Sequence, residues 1–243
     1  MKLKIQFCLL GLFCLMLSTA FSEPAQKHPV NGSWMFTSDN ETWLLMAADG
    51  YCMVTHYDQA GKKFFKTFGG FLSLENDKLK LQYRFHSGDQ GKTGTTAVFT
   101  WEPNGKNAES DLSGSRGTWV RVGEADSEMT GIWRITQRKE GANMREIRLA
   151  PRRTLKFLTN DRFQWAAINV ETGEFSGTGG GTYTFKDGTY AETIHFFSRD
   201  SSRVGMTLEF KDRMEGSNWV HTGLSSKGDP IYEVWSKTSK NEQ

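Results

Sequence analysis

The side chains that could do chemistry gather in the second half of this chain. Period-two alternation puts Glu192, Ile194 and Phe196 on one face of a strand and Thr193, His195 and Phe197 on the other, while Trp219 and His221 share a face further on. Whichever face turns inward, one ionisable group comes with it among aromatic neighbours. A carboxylate or imidazole in such a place, near Tyr183, Arg203 or Glu233, can orient the polar group of a ligand or act as a general acid or base with a shifted pKa. The expected ligand site is therefore Phe163, Trp165, Tyr183, Glu192, His195, Arg203, Trp219, His221 and Glu233, with no residue assigned as catalytic. The plainer alternative is that Glu192 and His195 face solvent or close a satisfied buried network.

Other chemistries find little support. The five histidines, His28, His56, His86, His195 and His221, show no metal-ligand spacing. Cys52 and His56, four apart, could supply two ligands at most, so no metal is expected. Gly177-x-Gly179-x-Gly181 precedes a Thr- and Tyr-rich strand, with no helix to hold a pyrophosphate. Glycines there read instead as places where a barrel strand bends, or where neighbouring backbone or a ligand comes close. No Gly-x-Ser-x-Gly elbow or phosphate-binding loop occurs, and no cofactor is expected.

Residues 1–22 combine a basic start, a short apolar run and small residues at Ser18, Ala20 and Ser22, which reads as a secretory signal peptide. Neither Cys8 nor Cys14 follows the small residue that lipoprotein processing needs, and the run is short for a membrane span. The expectation is a soluble protein, secreted or periplasmic. Cleavage takes the formal charge from +2 to about zero and leaves Cys52 alone, so no internal disulfide can form. A near-neutral chain lacks the clustered basic charge of a nucleic-acid surface. Its basic cluster, Arg145, Arg148, Arg152, Arg153 and Lys156, reads as a solvated loop or strand face. Nothing in the sequence indicates an oligomeric state.

The elements that must position these residues are duplicated. Thr67–Asp89 lies on residues 178–200 without a gap, with Gly69-Gly70 on Gly180-Gly181, Leu79 on Tyr190, Phe85 on Phe196 and Asp89 on Asp200. Each unit opens with Gly-x-Trp (Trp34, Trp133) and ends on a Trp-bearing stretch (Trp119, Trp235). The boundaries are 29–123 and 129–238, joined by the charged link Gly123–Glu128. Within the second, alternating segments separated by Gly, Asn and Asp mark antiparallel strands, with Asp187-Gly188 a hairpin turn, and the duplication carries the same reading to the first. An open sheet of that many short strands would leave bare edges. The fold expected is all-β, two tandem up-and-down barrels of about eight strands each.

Arg162-Phe-Gln-Trp-Ala, Glu174–Tyr183, Phe196–Asp200 and Trp219–Trp235 resemble the lipocalin-like (calycin) barrels, most closely those of secreted Bacteroidetes proteins. The first unit departs from that pattern, with an Asn-, Lys- and Ser-rich loop around Asn104–Ser115 in place of Trp219-Val-His-Thr-Gly. The resemblance implies a small ligand, lipid-like or aromatic, held inside a barrel. Two alternatives stay open: a barrel isomerase, lyase or hydrolase using a Glu/His pair, and a filled barrel serving structure or protein interaction.

Overall fold

The computed structural model describes residues 29–225, 227–238 and 242. The expected signal peptide and His28 lie outside them. The first sheet contains β1 (Gly32–Ser38), β2 (Glu41–Ala48), β3 (Tyr51–Asp58), β4 (Lys63–Glu75), β5 (Lys78–His86), β6 (Thr96–Thr100), β7 (Glu102–Asn104), β8 (Asn107–Ser110) and β9 (Gly117–Gly123). The second contains β10 (Gly131–Glu140), β11 (Asn143–Glu146), β12 (Arg152–Leu158), β13 (Arg162–Asn169), β14 (Phe175–Lys186), β15 (Thr189–Phe197), β16 (Thr207–Glu215), β17 (Asn218–Leu224) and β18 (Pro230–Lys237).

Strand β10 pairs with both β12 and β18, closing eight strands into a barrel with β11 as an arm on β10. The first barrel nearly closes, in the order β6-β5-β4-β3-β2-β1-β9-β8-β7. At its open seam Asp111 Oδ1 accepts from Thr100 N at 2.7 Å and Thr100 Oγ1 at 2.9 Å, so a side chain stands in for the missing ladder. The stretch expected as a loop around Asn104–Ser115 is in part the β7–β8 hairpin. Turn chemistry sets the meander: Asp49-Gly50 (φ 53° and 73°) and Asp187-Gly188 (φ 51° and 73°) carry the paired positive φ of a tight hairpin.

The duplicated glycines mark the same irregularity twice. Register shifts between Gly69 and Gly70 in β4 and between Gly180 and Gly181 in β14. A Cβ on Gly181 would collide with the Thr193 carbonyl oxygen, and one on Gly70 with that of Gln82. What approaches these glycines is the neighbouring strand. Opposite the second bulge, Gly181 faces Ile194 and Gly180 faces Phe196, leaving His195 unpaired. The simple alternation expected along β15 therefore breaks. Glu192, Ile194 and Phe197 point into the barrel, while Phe196 points out.

Three apolar clusters form. One fills the first barrel, including Trp34, Leu45, Leu81, Trp101 and Trp119. Another plugs one end of the second with Trp133, Leu158, Phe163, Tyr183, Tyr190 and Trp219. Each barrel is pinned at its opening Trp by the same bond, Trp34 Nε1 to Val30 O (2.9 Å) and Trp133 Nε1 to Met129 O (2.8 Å). The third cluster lies between the barrels, where Leu44, Met46, Tyr51 and Phe85 meet Leu155, Phe157, Ile168 and Phe196. At that contact buried Gln164 accepts from Thr55 Oγ1 (2.9 Å) and donates to Thr67 Oγ1 (3.0 Å) and Thr178 Oγ1 (3.1 Å). Its polar atoms are satisfied, as burial requires.

Candidate functional site

Matching ladder registers lets the two interiors be compared position by position. Lys156 pairs with Trp165 as Leu45 pairs with Val54, so Lys156 stands where the first barrel has Leu45. Glu192 falls on Leu81 by the ungapped repeat. Phe210 faces Tyr190 as Phe99 faces Leu79, and two residues on Asp212 falls on Trp101. On the closing strands His221 faces Glu233 where Ser110 faces Gly117. Five interior positions that are apolar, small or neutral in the filled barrel carry ionisable groups in the other.

These groups are held by one another. Lys156 Nζ donates to Glu192 Oε2 at 2.8 Å, with the two side chains 6% and 10% exposed. The ammonium also lies 4.8–5.1 Å from the ring centroids of Tyr190, Phe163 and Trp219, a geometry for cation–π attraction. Asp212 Oδ2 accepts from Trp219 Nε1 and is bonded to His221 Nδ1, each at 2.8 Å, and Oδ1 accepts from Thr222 N at 3.2 Å. A carboxylate only accepts, so His221 Nδ1 bears the hydrogen and Nε2 is left outside the pair. Glu233 accepts from Trp235 Nε1 (3.0 Å) and from Arg138 Nε and Nη2 (3.1 and 2.7 Å).

Above this charged layer is a cavity of about 320 Å³. Lys156, Glu192, His221 and Glu233 line it together with Ile135, Trp165, Ile194, Phe197, Leu208, Phe210, Ile231 and Trp235, and Arg138, Thr154 and Ser225 complete the wall. Such a volume matches the lower range of small-ligand sites. Of the residues expected from sequence, Trp165, Glu192, His221 and Glu233 meet here. Phe163, Tyr183 and Trp219 lie in the buried plug instead, where Tyr183 Oη donates to Thr159 O at 2.7 Å. His195 sits at the bulge, 3.4 Å from Thr182 Oγ1 on the outer side; burial, and then the Arg162 charge, lower its pKa. Arg203 is used in a turn, paired with Asp200 at 2.9 Å. Lys156, Asp212 and Arg138 were not expected in the site. Their signal was local: Lys156 lies between Leu155 and Phe157 with Leu158 on its own face, and Asp212 shares the face of Leu208 and Phe210.

A second volume adjoins the first. Where β10 leaves β12 to pair with β11, a groove of about 660 Å³ opens, lined by Arg134, Arg138, Arg145, Arg148, Arg152 and Arg153 with Ile147 and Leu149. It shares Ile135, Arg138 and Thr154 with the barrel cavity. The basic cluster expected to be a solvated face is thus a concave wall for its four arginines, while Lys156 belongs to the barrel interior. Elsewhere, Cys52 is buried in the first barrel, and burial pushes its thiol up to about 12. Among the described residues no cluster of His, Cys, Asp and Glu could hold a metal ion.

Residues 128–243 match the family described as Domain of unknown function (DUF4488). The match spans the second barrel and leaves the first outside it. Among solved structures the chain is similar to a lipocalin-like protein from Bacteroides uniformis ATCC 8492, at 12% identity and TM-score 0.33, covering 46% of this chain and 100% of that one. It is also similar to an uncharacterized protein from Bacteroides eggerthii DSM 20697, at 13% identity and TM-score 0.32, covering 45% of this chain and 99% of that one. No curated protein matches the chain.

Proposed function

We propose that the second barrel is a binding module for a small molecule with a largely apolar body, and that the first barrel is its filled structural partner. The observation that carries this reading is the substitution of the filled interior, Leu45, Leu81, Trp101, Ser110 and Gly117, by Lys156, Glu192, Asp212, His221 and Glu233 beneath a cavity of about 320 Å³. Buried ion pairs add little stability over apolar residues of similar size. Their use here is to give an otherwise aromatic pocket a polar floor that fixes ligand orientation. The leading residues 1–22 support a secreted or periplasmic setting.

The Asp212–His221 pair favours one second reading. An imidazole oriented through Nδ1, with Nε2 outside the pair, has the arrangement of a general base, so an isomerase, lyase or hydrolase acting on the same ligand is the alternative. Native mass spectrometry of protein purified from its own source tests the binder. The expected result is a noncovalent adduct that vanishes on denaturation and is weakened in Trp165→Ala. An adduct retained unchanged when Lys156 and Glu192 are both replaced by leucine would show that the polar floor takes no part in holding the ligand and refute the reading.

A further inference from the structure

We propose that the arginine groove beside the barrel mouth holds the anionic head of an amphiphile whose apolar body enters the second barrel. The inference rests on the binding reading above and adds the chemistry of the ligand's head. The two volumes meet at Ile135, Arg138 and Thr154, so one molecule can occupy both. The groove is rich in positive charge that the protein only partly neutralises. Arg134 pairs with Glu242 (3.2 Å), Arg138 with Glu233 (2.7 Å) and Arg145 with Glu140 (2.9 Å). Among the described residues no carboxylate pairs with Arg148 or Arg152, both exposed on the wall. Guanidinium forks match the oxygens of phosphate, sulfate or carboxylate two at a time, which a lysine cannot do.

The first barrel supplies the contrast. There β1 turns directly into β2, with Ser38 facing Glu41 across the hairpin. In the second barrel the same connection is expanded by β11 and residues 147–151, and this added segment brings Arg145 and Arg148 to the groove. The opened barrel and the cationic groove therefore occur in the same copy. The floor of the cavity is a poor place for the anion, because the carboxylates of Glu192, Asp212 and Glu233 gather there and the Lys156 and Arg138 cations are already bonded to Glu192 and Glu233. An anionic head is attracted to the mouth and repelled from the floor, which orients the molecule.

The test is a set of titrations, followed by tryptophan fluorescence and calorimetry, with decyl sulfate, decanol, decyltrimethylammonium and inorganic sulfate below any micelle concentration. Decyl sulfate should bind at least about tenfold more tightly than decanol, roughly 1.4 kcal/mol, and weaken as salt rises. Decyltrimethylammonium should bind more weakly than decanol. Arg148→Gln/Arg152→Gln, on exposed side chains, should remove most of the preference for sulfate while leaving decanol affinity unchanged. Equal binding of decyl sulfate and decanol, or a preference that survives the double substitution, would overturn the head-group inference and leave the barrel reading intact. Inorganic sulfate binding as tightly as decyl sulfate, with no binding of decanol, would overturn both, because the tail would then contribute nothing.

Discussion

Replacing Lys156 and Glu192 singly and together separates a pair kept for binding from one kept for folding. The two side chains are 6% and 10% exposed and bonded at 2.8 Å, so removing one partner strands a charge away from water. Breaking such a pair costs about 3–5 kcal/mol, which is the loss expected for Lys156→Leu. In Glu192→Leu the ammonium keeps the faces of Tyr190, Phe163 and Trp219 within 4.8–5.1 Å of their centroids. Cation–π attraction of about 0.5–2 kcal/mol for a well-placed ring lowers that loss to roughly 1–4.5 kcal/mol. The double substitution recreates the Leu45 and Leu81 of the filled barrel and should lie within about 1.5 kcal/mol of the parent. Urea unfolding of all four proteins then gives a coupling of at least about 2.5 kcal/mol. Ligand retention by native mass spectrometry should be lost in the double variant despite its intact fold. A double variant that loses the sum of the single losses would refute the reasoning, since the pair would then be needed for packing.

Two further outcomes follow from geometry and burial. Gly181→Ala should lose more than about 3 kcal/mol or fail to fold, because its Cβ meets the Thr193 carbonyl in the backbone of β15. In Gly177→Ala the nearest neighbour is a side chain, Arg199 Nε at 2.8 Å, which can shift by giving up its bond to Ser176 O, so the loss should stay within about 2 kcal/mol; equal effects by thermal unfolding would contradict this account. Burial is the largest cause lowering the pKa of His56, His86 and His195 from 6.5. The unfolded chain then takes up protons that the folded chain refuses, so stability is full above about pH 6.5 and falls as pH drops toward the lowered folded values. The thermal midpoint should decrease from about pH 7.5 to about pH 5.5, and a flat or rising midpoint would count against it.

The barrels were legible because their signals are local. Gly-x-Trp openings, Asp187-Gly188 and the Gly69-Gly70 and Gly180-Gly181 pairs each act through their own backbone or nearest strand. That Trp165, Glu192, His221 and Glu233 share one interior is readable because alternation holds over the short strands that carry them. It fails past Ile194, where one unpaired residue at the bulge turns Phe196 outward and Phe197 inward. Lys156 was grouped with nearby arginines because sequence shows charge without its partner. Glu192, thirty-six residues away, decides that Lys156 is buried. The arginine groove was hidden for a related reason: its wall is built from β10, the β11 arm and β12, which converge only where β10 and β12 part.

The apolar contact between the barrels changes what the second barrel's interior is free to be. Leu155, Phe157, Ala166, Ile168 and Phe196 face outward from the second barrel and are covered by Leu44, Met46, Tyr51 and Phe85 of the first. In a solitary barrel that face would meet water, and cohesion would rest on a packed inside. Here much of the dry surface sits outside the wall, so the inside can tolerate charge and empty space. Residues 128–243 cut out alone would present that face bare, a patch of the kind that drives aggregation. The first barrel shields this outer face of the second, so grafting a new pocket into the scaffold calls for keeping both halves.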